Sequence, residues 1–278
     1  MERSHALSRT LKTTWKEYES KVHLAKETQS SKNIHQLRIS TQKLEAVLTL
    51  INSVRLTHDS ASIIYLIKKV RKSLGPLRDL QVEATAFSHL NNQKINSQKL
   101  TLFSKFFNHQ KAKAEKKAVR SLADISLRHD KIRIIKLARK LAHIESKKNK
   151  YKIQDQMDKQ LKKSVTDINK DLKQINPCEV KQIHKFRNKV KKLRYQQECL
   201  NTLPDRLLID FENIKDVQEI AGRIQNDTVL IRTLDKFLAK KKNGEDQKII
   251  KLREDIVISQ ANHIKKDFAK ITPFVWAT

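Results

Sequence analysis

The sequence predicts an all-α protein, and three observations carry the prediction. Only three Gly and four Pro occur in 278 residues, so long helices joined by short turns are expected. Apolar residues recur at three- and four-residue spacing, as in Leu7, Leu11, Trp15, Tyr18 and Val22. Finally, the stretch 183–195 (IHKFRNKVKKLRY) is matched by an earlier one at 34–44 (IHQLRISTQKL), which points to an internal duplication of helical segments.

Taken in order, a first helix is expected from residue 7 to about 26. A second, from 31 to about 54, carries the earlier histidine motif, with Ser30 or Ser31 as its cap. After Thr57 and His58 a third helix runs to Leu74, where Gly75-Pro76 interrupts it; proline at 76 is acceptable as the first position of the next helix. A polar turn at 91–96 (NNQKIN) precedes a strongly helical stretch, 100–143, which is either one long helix broken near His129-Asp130 or two helices. Its lysines, as in KAKAEKK at 111–117, read as solvated face.

Residues 146–152 (SKKNKYK) have the composition of a linker and divide the chain into halves, 1–146 and 147–278. The second half repeats the scheme with a helix over about 153–175 and a stop at Asn176-Pro177. The motif helix then runs to about 201, followed by a turn at Leu203-Pro204-Asp205. One helix is expected to end at Gly222 and another to cover about 225–240. A turn at Asn243-Gly244 leads to a closing helix from 246 to about 270. Phe274 and Trp276 in the tail are expected to pack on their own protein.

The later motif has a definite geometry. On a helix turning about 100° per residue, with His184 as zero, Arg187, Lys191 and Arg194 fall at about 300°, 340° and 280°, on one narrow face. Ile183, Phe186, Val190 and Leu193 fall between roughly 180° and 260°, so the basic row borders the apolar stripe instead of opposing it. A row beside the core looks into a groove between helices. It forms a positive edge of roughly 15 Å, suited to an elongated polyanion.

His35, Arg38 and Leu44 match His184, Arg187 and Leu193 at a constant offset of 149 residues. A second marker follows each histidine: LGPLRDLQV at 74–82 and AGRIQNDTV at 221–229. Gly75 lies 40 residues after His35, and Gly222 lies 38 after His184. Arg78 and Asp79 in the first copy are replaced by Gln225 and Asn226 in the second. Asp79 either favours the positive end of a helix and pairs with Arg78, or positions a ligand. Lys68, Arg71 and Lys72 precede the break at helical spacing and add to the groove.

These residues carry a resemblance to the CHAD family, the conserved histidine α-helical domain. The run H-x-x-R-x-x-x-K/R-K/R-x-R is complete as His184, Arg187, Lys191, Lys192 and Arg194, and the segment L-G-x-x-R-D is present as Leu74, Gly75, Arg78 and Asp79. The resemblance covers nearly the whole chain. It implies one all-α domain of two tandem, pseudo-symmetric four-helix-bundle halves, with the motif helices lining a basic central groove that binds inorganic polyphosphate. Expected ligand contacts are His35, Arg38 and Lys43 from the first motif, then Arg71, Lys72 and Arg78 around the break. The second motif supplies His184, Arg187, Lys191, Lys192, Arg194 and Tyr195. Gln42 and Glu45 stand where basic residues are expected, so the first half should bind less strongly than the second.

Charge agrees with a polyanionic partner. Lys and Arg number 59 against 30 Asp and Glu, a net charge of +29. Nucleic acid fits that charge too, and an RNA- or DNA-binding helical protein is the alternative reading. Aromatic residues are only 5% of the chain, and Tyr195 is the only one on either basic row, which argues against a single-strand site built on stacking. No P-loop, H-E-x-x-H or dinucleotide fingerprint occurs, so binding without turnover is expected, with no cofactor. No two histidines lie three or four apart, and the cationic neighbours of His35 and His184 disfavour a metal. Cys178 and Cys199 form no paired motif, and no apolar run approaches a membrane span, so a cytoplasmic protein is expected; the resemblance adds association with polyphosphate granules.

Overall fold

Helical periodicity is realised along the chain. The structure is a computed structural model that describes residues 6–53, 59–91, 98–146, 150–176, 179–200, 211–240 and 247–275. Among these no strand occurs. The first six helices are α1 (Ala6–Glu27), α2 (Ser31–Ser53), α3 (Asp59–Ser73), α4 (Gly75–Asn91), α5 (Gln98–Ala123) and α6 (Leu127–Ser146). The remaining four are α7 (Lys150–Gln174), α8 (Val180–Leu200), α9 (Phe211–Leu238) and α10 (Gln247–Lys266), and a 3-10 turn, Phe268–Lys270, follows. Among the described residues no helix is long and apolar enough to cross a membrane.

Local chemistry sets the helix starts. Ser30 Oγ accepts the Asn33 N–H at 3.1 Å, so Ser30 and not Ser31 caps α2. The first turn of α1 holds no acidic residue. Glu145, near the end of α6, accepts the N–H groups of Leu7 and Ser8 at 2.8 and 3.2 Å, so a distant carboxylate serves the orphan donors and the positive helix end together.

Three expected boundaries move. The 100–143 stretch is two helices, and the break falls at 124–126, not at His129-Asp130, which lie inside the first turns of α6. Asp130 there is an acidic residue in a first turn, where the helix dipole favours it. The ends of the expected linker are helical, because α6 reaches Ser146 and α7 begins at Lys150. Most consequentially, α9 passes through Gly222 without a break. A lone glycine costs a helix about 1 kcal/mol and is tolerated. In the first copy Pro76 follows the glycine and lacks the N–H that would continue the ladder, so the helix stops and restarts at Leu74. The expected turns at 203–205 and 243–244, most of that at 91–96, and Trp276 lie outside the described residues. Phe274 is buried as expected, and its backbone exchanges two 2.9 Å hydrogen bonds with the Asn169 side chain on α7.

α1, α2, the α3–α4 pair and α5 correspond in order to α7, α8, α9 and α10, with α6 as the addition, which is consistent with a doubled scheme. The two motif helices pack directly on one another: α2 lies against α1, α3 and α8, and α8 against α7 and α9. Two apolar clusters hold the assembly. The larger takes Leu44 and Leu48 from α2, Phe186 and Leu193 from α8, and Val217, Ala221 and Ile224 from α9. The smaller joins Phe103 and Phe107 of α5 to Leu234 and Phe237 of α9 and Ile249 of α10, with Phe103 and Phe237 edge to face at 5.1 Å. Residues from both sides of the 147–149 junction mix in each cluster, and α9 contributes to both.

Candidate functional site

Packing α2 against α8 faces the two basic rows toward each other, and α3, α4 and α9 complete the surround. Lys191 of α8 is the centre. It lies within electrostatic reach of Arg187 and Arg194 of its own helix, Arg38 of α2 and Arg71 of α3. Burial, reinforced by these guanidinium groups, pushes the Lys191 ammonium down to about 7. Burial likewise lowers Arg38 and Arg187 from their ordinary values. Arg187 Nε and Arg71 Nη1 are buried and have no hydrogen-bond acceptor among the described residues. Buried donors left unmatched are costly, and an anion between the helices would satisfy them.

The duplication is visible in the contacts. Arg38 lies against Gly75, where a Cβ would meet its Nη1 at 3.6 Å, and Arg187 lies against Gly222, where a Cβ would meet its Nη2 at 3.8 Å. In each copy the guanidinium lies beside the glycine, at a distance where a methyl group would make only ordinary contact. The histidines occupy matching places but differ in their partners. His35, on the exposed side of α2, is lowered by partial desolvation and then by the nearby cations Arg78, Lys191 and Arg38, while His184 Nδ1 meets the Oε1 of Gln225, the residue matching Arg78, at 2.5 Å. Asn188 Nδ2 donates to His184 Nε2 at 3.0 Å. Both ring nitrogens of His184 are therefore engaged, and it reaches an anion only if Asn188 turns away. Asp79 joins the copies: partial desolvation on the open side of α4 raises it, opposed by Arg38, Arg232, His184 and Arg78 around it.

The remaining expected residues are placed as follows. Arg194 is held by Glu198 at 2.8 Å and by Gln218 at 3.0 Å, with its guanidinium 5.9 Å from the centre of the Tyr195 ring. Tyr195 is buried, and its hydroxyl is raised mainly by burial. Arg38 Nη1 donates to the Arg71 carbonyl at 2.6 Å, and Arg78 Nη1 to Ser31 Oγ at 3.0 Å. Lys192 points toward Glu45 and Lys68, at the margin of the cluster. Lys72 is exposed at the end of α3. Lys43 does not join the others: it pairs with Glu17 of α1 at 3.2 Å, beside Cys199. Arg232 is the residue the sequence reading missed. Its signal was there, since it lies seven residues, two helical turns, beyond Gln225. Among the described residues no three metal-ligating side chains come together.

The family model for the CHAD domain matches this chain over residues 6–235. The chain belongs to the CHAD domain family. Its fold is also that of a solved CHAD domain: the crystal structure of the CHAD domain from the plant Ricinus communis is similar with a TM-score of 0.69 at 16% identity, over 99% of this chain and 94% of that one. No curated protein matches the chain. Within the CHAD motif, Glu45 is the notable departure. Standing where the second copy has Arg194, it pairs with Arg71 at 2.6 Å and Lys68 at 3.2 Å, so the first copy neutralises cations where the second adds one.

Proposed function

We propose that this CHAD protein binds inorganic polyphosphate stoichiometrically, without turnover, in the groove between α2 and α8. The observation that carries the reading is the cluster of Arg38, Arg71, Arg187, Lys191 and Arg194, contributed by three helices and left with two buried guanidinium N–H groups lacking acceptors. Guanidinium forks grip phosphoryl oxygens in a plane, and the ammonium acts as a point charge between them. A linear chain of phosphates matches a row of such groups, because every repeat offers the same anionic oxygens. Each contact releases condensed counterions, so affinity falls steeply with salt.

Polyphosphate of defined length, titrated over a range of salt, tests the proposal, with RNA as competitor at fixed ionic strength. Saturable one-site binding that long-chain RNA displaces poorly is expected. Preference for RNA would favour nucleic-acid binding through charge. Shortening of the polyphosphate on incubation with magnesium would replace binding by hydrolysis.

A further inference from the structure

One face of α9 continues past the motif helices and stays basic. On a helix turning about 100° per residue, Gln218, Gly222, Arg232 and Lys236 all fall within about 60° of Gln225. Gln218, Gly222 and Gln225 are the rungs that meet Arg194, Arg187 and His184. Arg232 and Lys236 extend the same line by about 16 Å. Here α8, which begins at Val180, gives way to α4 as the facing helix. Arg232 shares Asp79 with Arg38, Arg78 and His184, so it is electrostatically continuous with the central cluster. One turn along α4, Glu83 lies near both Arg232 and Lys236 and accepts the Thr233 hydroxyl. Glu83 is only 3% exposed and its Oε2 has no donor among the described residues. Arg232 and Lys236 are themselves exposed.

We propose that Arg232 and Lys236 form a distal subsite that engages only polyphosphate chains long enough to run past the motif helices, so that chain length is read along α9. The proposal rests on the polyphosphate reading above. With the carboxylates of Asp79 and Glu83 opposite, the two cations hold phosphate weakly by themselves. They add affinity once a chain is anchored at Lys191, because the second contact is then intramolecular. A short chain stays in the denser central cluster and does not sample them.

The test compares tripolyphosphate with polyphosphate of about a hundred units, at equal ionic strength, on the wild type, on Arg232→Ala/Lys236→Ala, and on a charge-matched control, Lys136→Ala/Lys140→Ala, on the exposed face of α6. Loss of two charge-assisted contacts should weaken long-chain binding about tenfold or more, leave tripolyphosphate within about twofold, and exceed the effect of the control. Unchanged long-chain binding, equal loss for both lengths, or equal loss in the control overturns the distal subsite while the central one stands. A wild type that binds neither ligand overturns both readings.

Discussion

At the scale of single residues, Lys191 should make the proposed binding a proton-linked event. In the free protein its ammonium loses its proton near pH 7, and phosphate beside it favours the charged form. Below about 7 the site is already charged; above it each binding event draws in a proton, so affinity should fall as pH rises from about 7. Binding heats measured at pH 8 in two buffers of different ionisation enthalpy should report net proton uptake, and Lys191→Met should abolish it. The unliganded fold has the same linkage with its own sign. The unfolded chain holds this proton up to about 10.5, the folded one only to about 7, so stability should rise over that interval as pH increases. Gly222 is the second residue to test. Ala there adds a methyl at ordinary contact with Arg187 and removes glycine's helix penalty, so Gly222→Ala should be neutral or stabilising by about 0.5–1 kcal/mol in chemical denaturation. Gly222→Leu should instead displace the guanidinium and weaken polyphosphate binding. The shared face of Arg187, Lys191 and Arg194 was legible from helical spacing, and the packing of α2 against α8 and α3 brings Arg38 and Arg71 to it. Lys43 was not: its direction depends on Glu17, a residue of another helix that no periodicity links to it. The hydrogen bonds of His184 were equally hidden, since Asn188 and Gln225 look like ordinary polar residues in a string.

At the scale of helices, the two motif segments are alike in shape and unlike in strength. α8 brings Arg187, Lys191 and Arg194 to the groove. α2 brings Arg38, while Lys43 is turned to α1 and Glu45 draws off Arg71 and Lys68. Arg187→Ala/Arg194→Ala should therefore weaken binding more than Arg38→Ala/Lys43→Ala in a direct titration, and equal losses would refute unequal halves. α8 is also a structural beam. Phe186 is buried and meets Phe268 edge to face at 5.9 Å, so Phe186→Ala should cost about 3–5 kcal/mol in denaturant unfolding. The cap of α2 and the stop before Pro76 were readable because each depends on one or two neighbouring residues. The uninterrupted α9 was not, because whether a lone glycine ends a helix is decided by the burial of Val217, Ala221 and Ile224 around it.

At the scale of the whole molecule, the scarcity of Gly and Pro and the duplicated helical pattern pointed to the all-α fold, since both are properties of the string. What they left open was how the parts interlock: α5 shares its phenylalanines with α9 and α10, across the junction expected to separate two halves. That arrangement follows from tertiary packing alone. Its consequence lies in α9, one unbroken rod whose near end is embedded in the cluster around Phe186 and whose far end is embedded in the phenylalanine cluster. Among the described residues α9 thus ties the two clusters to one another. Heating should therefore produce a single calorimetric transition with matching van't Hoff and calorimetric enthalpies, and saturating polyphosphate should shift that whole transition upward. A ligand clasped at the middle of the rod would then be felt as heat resistance in phenylalanines it never touches.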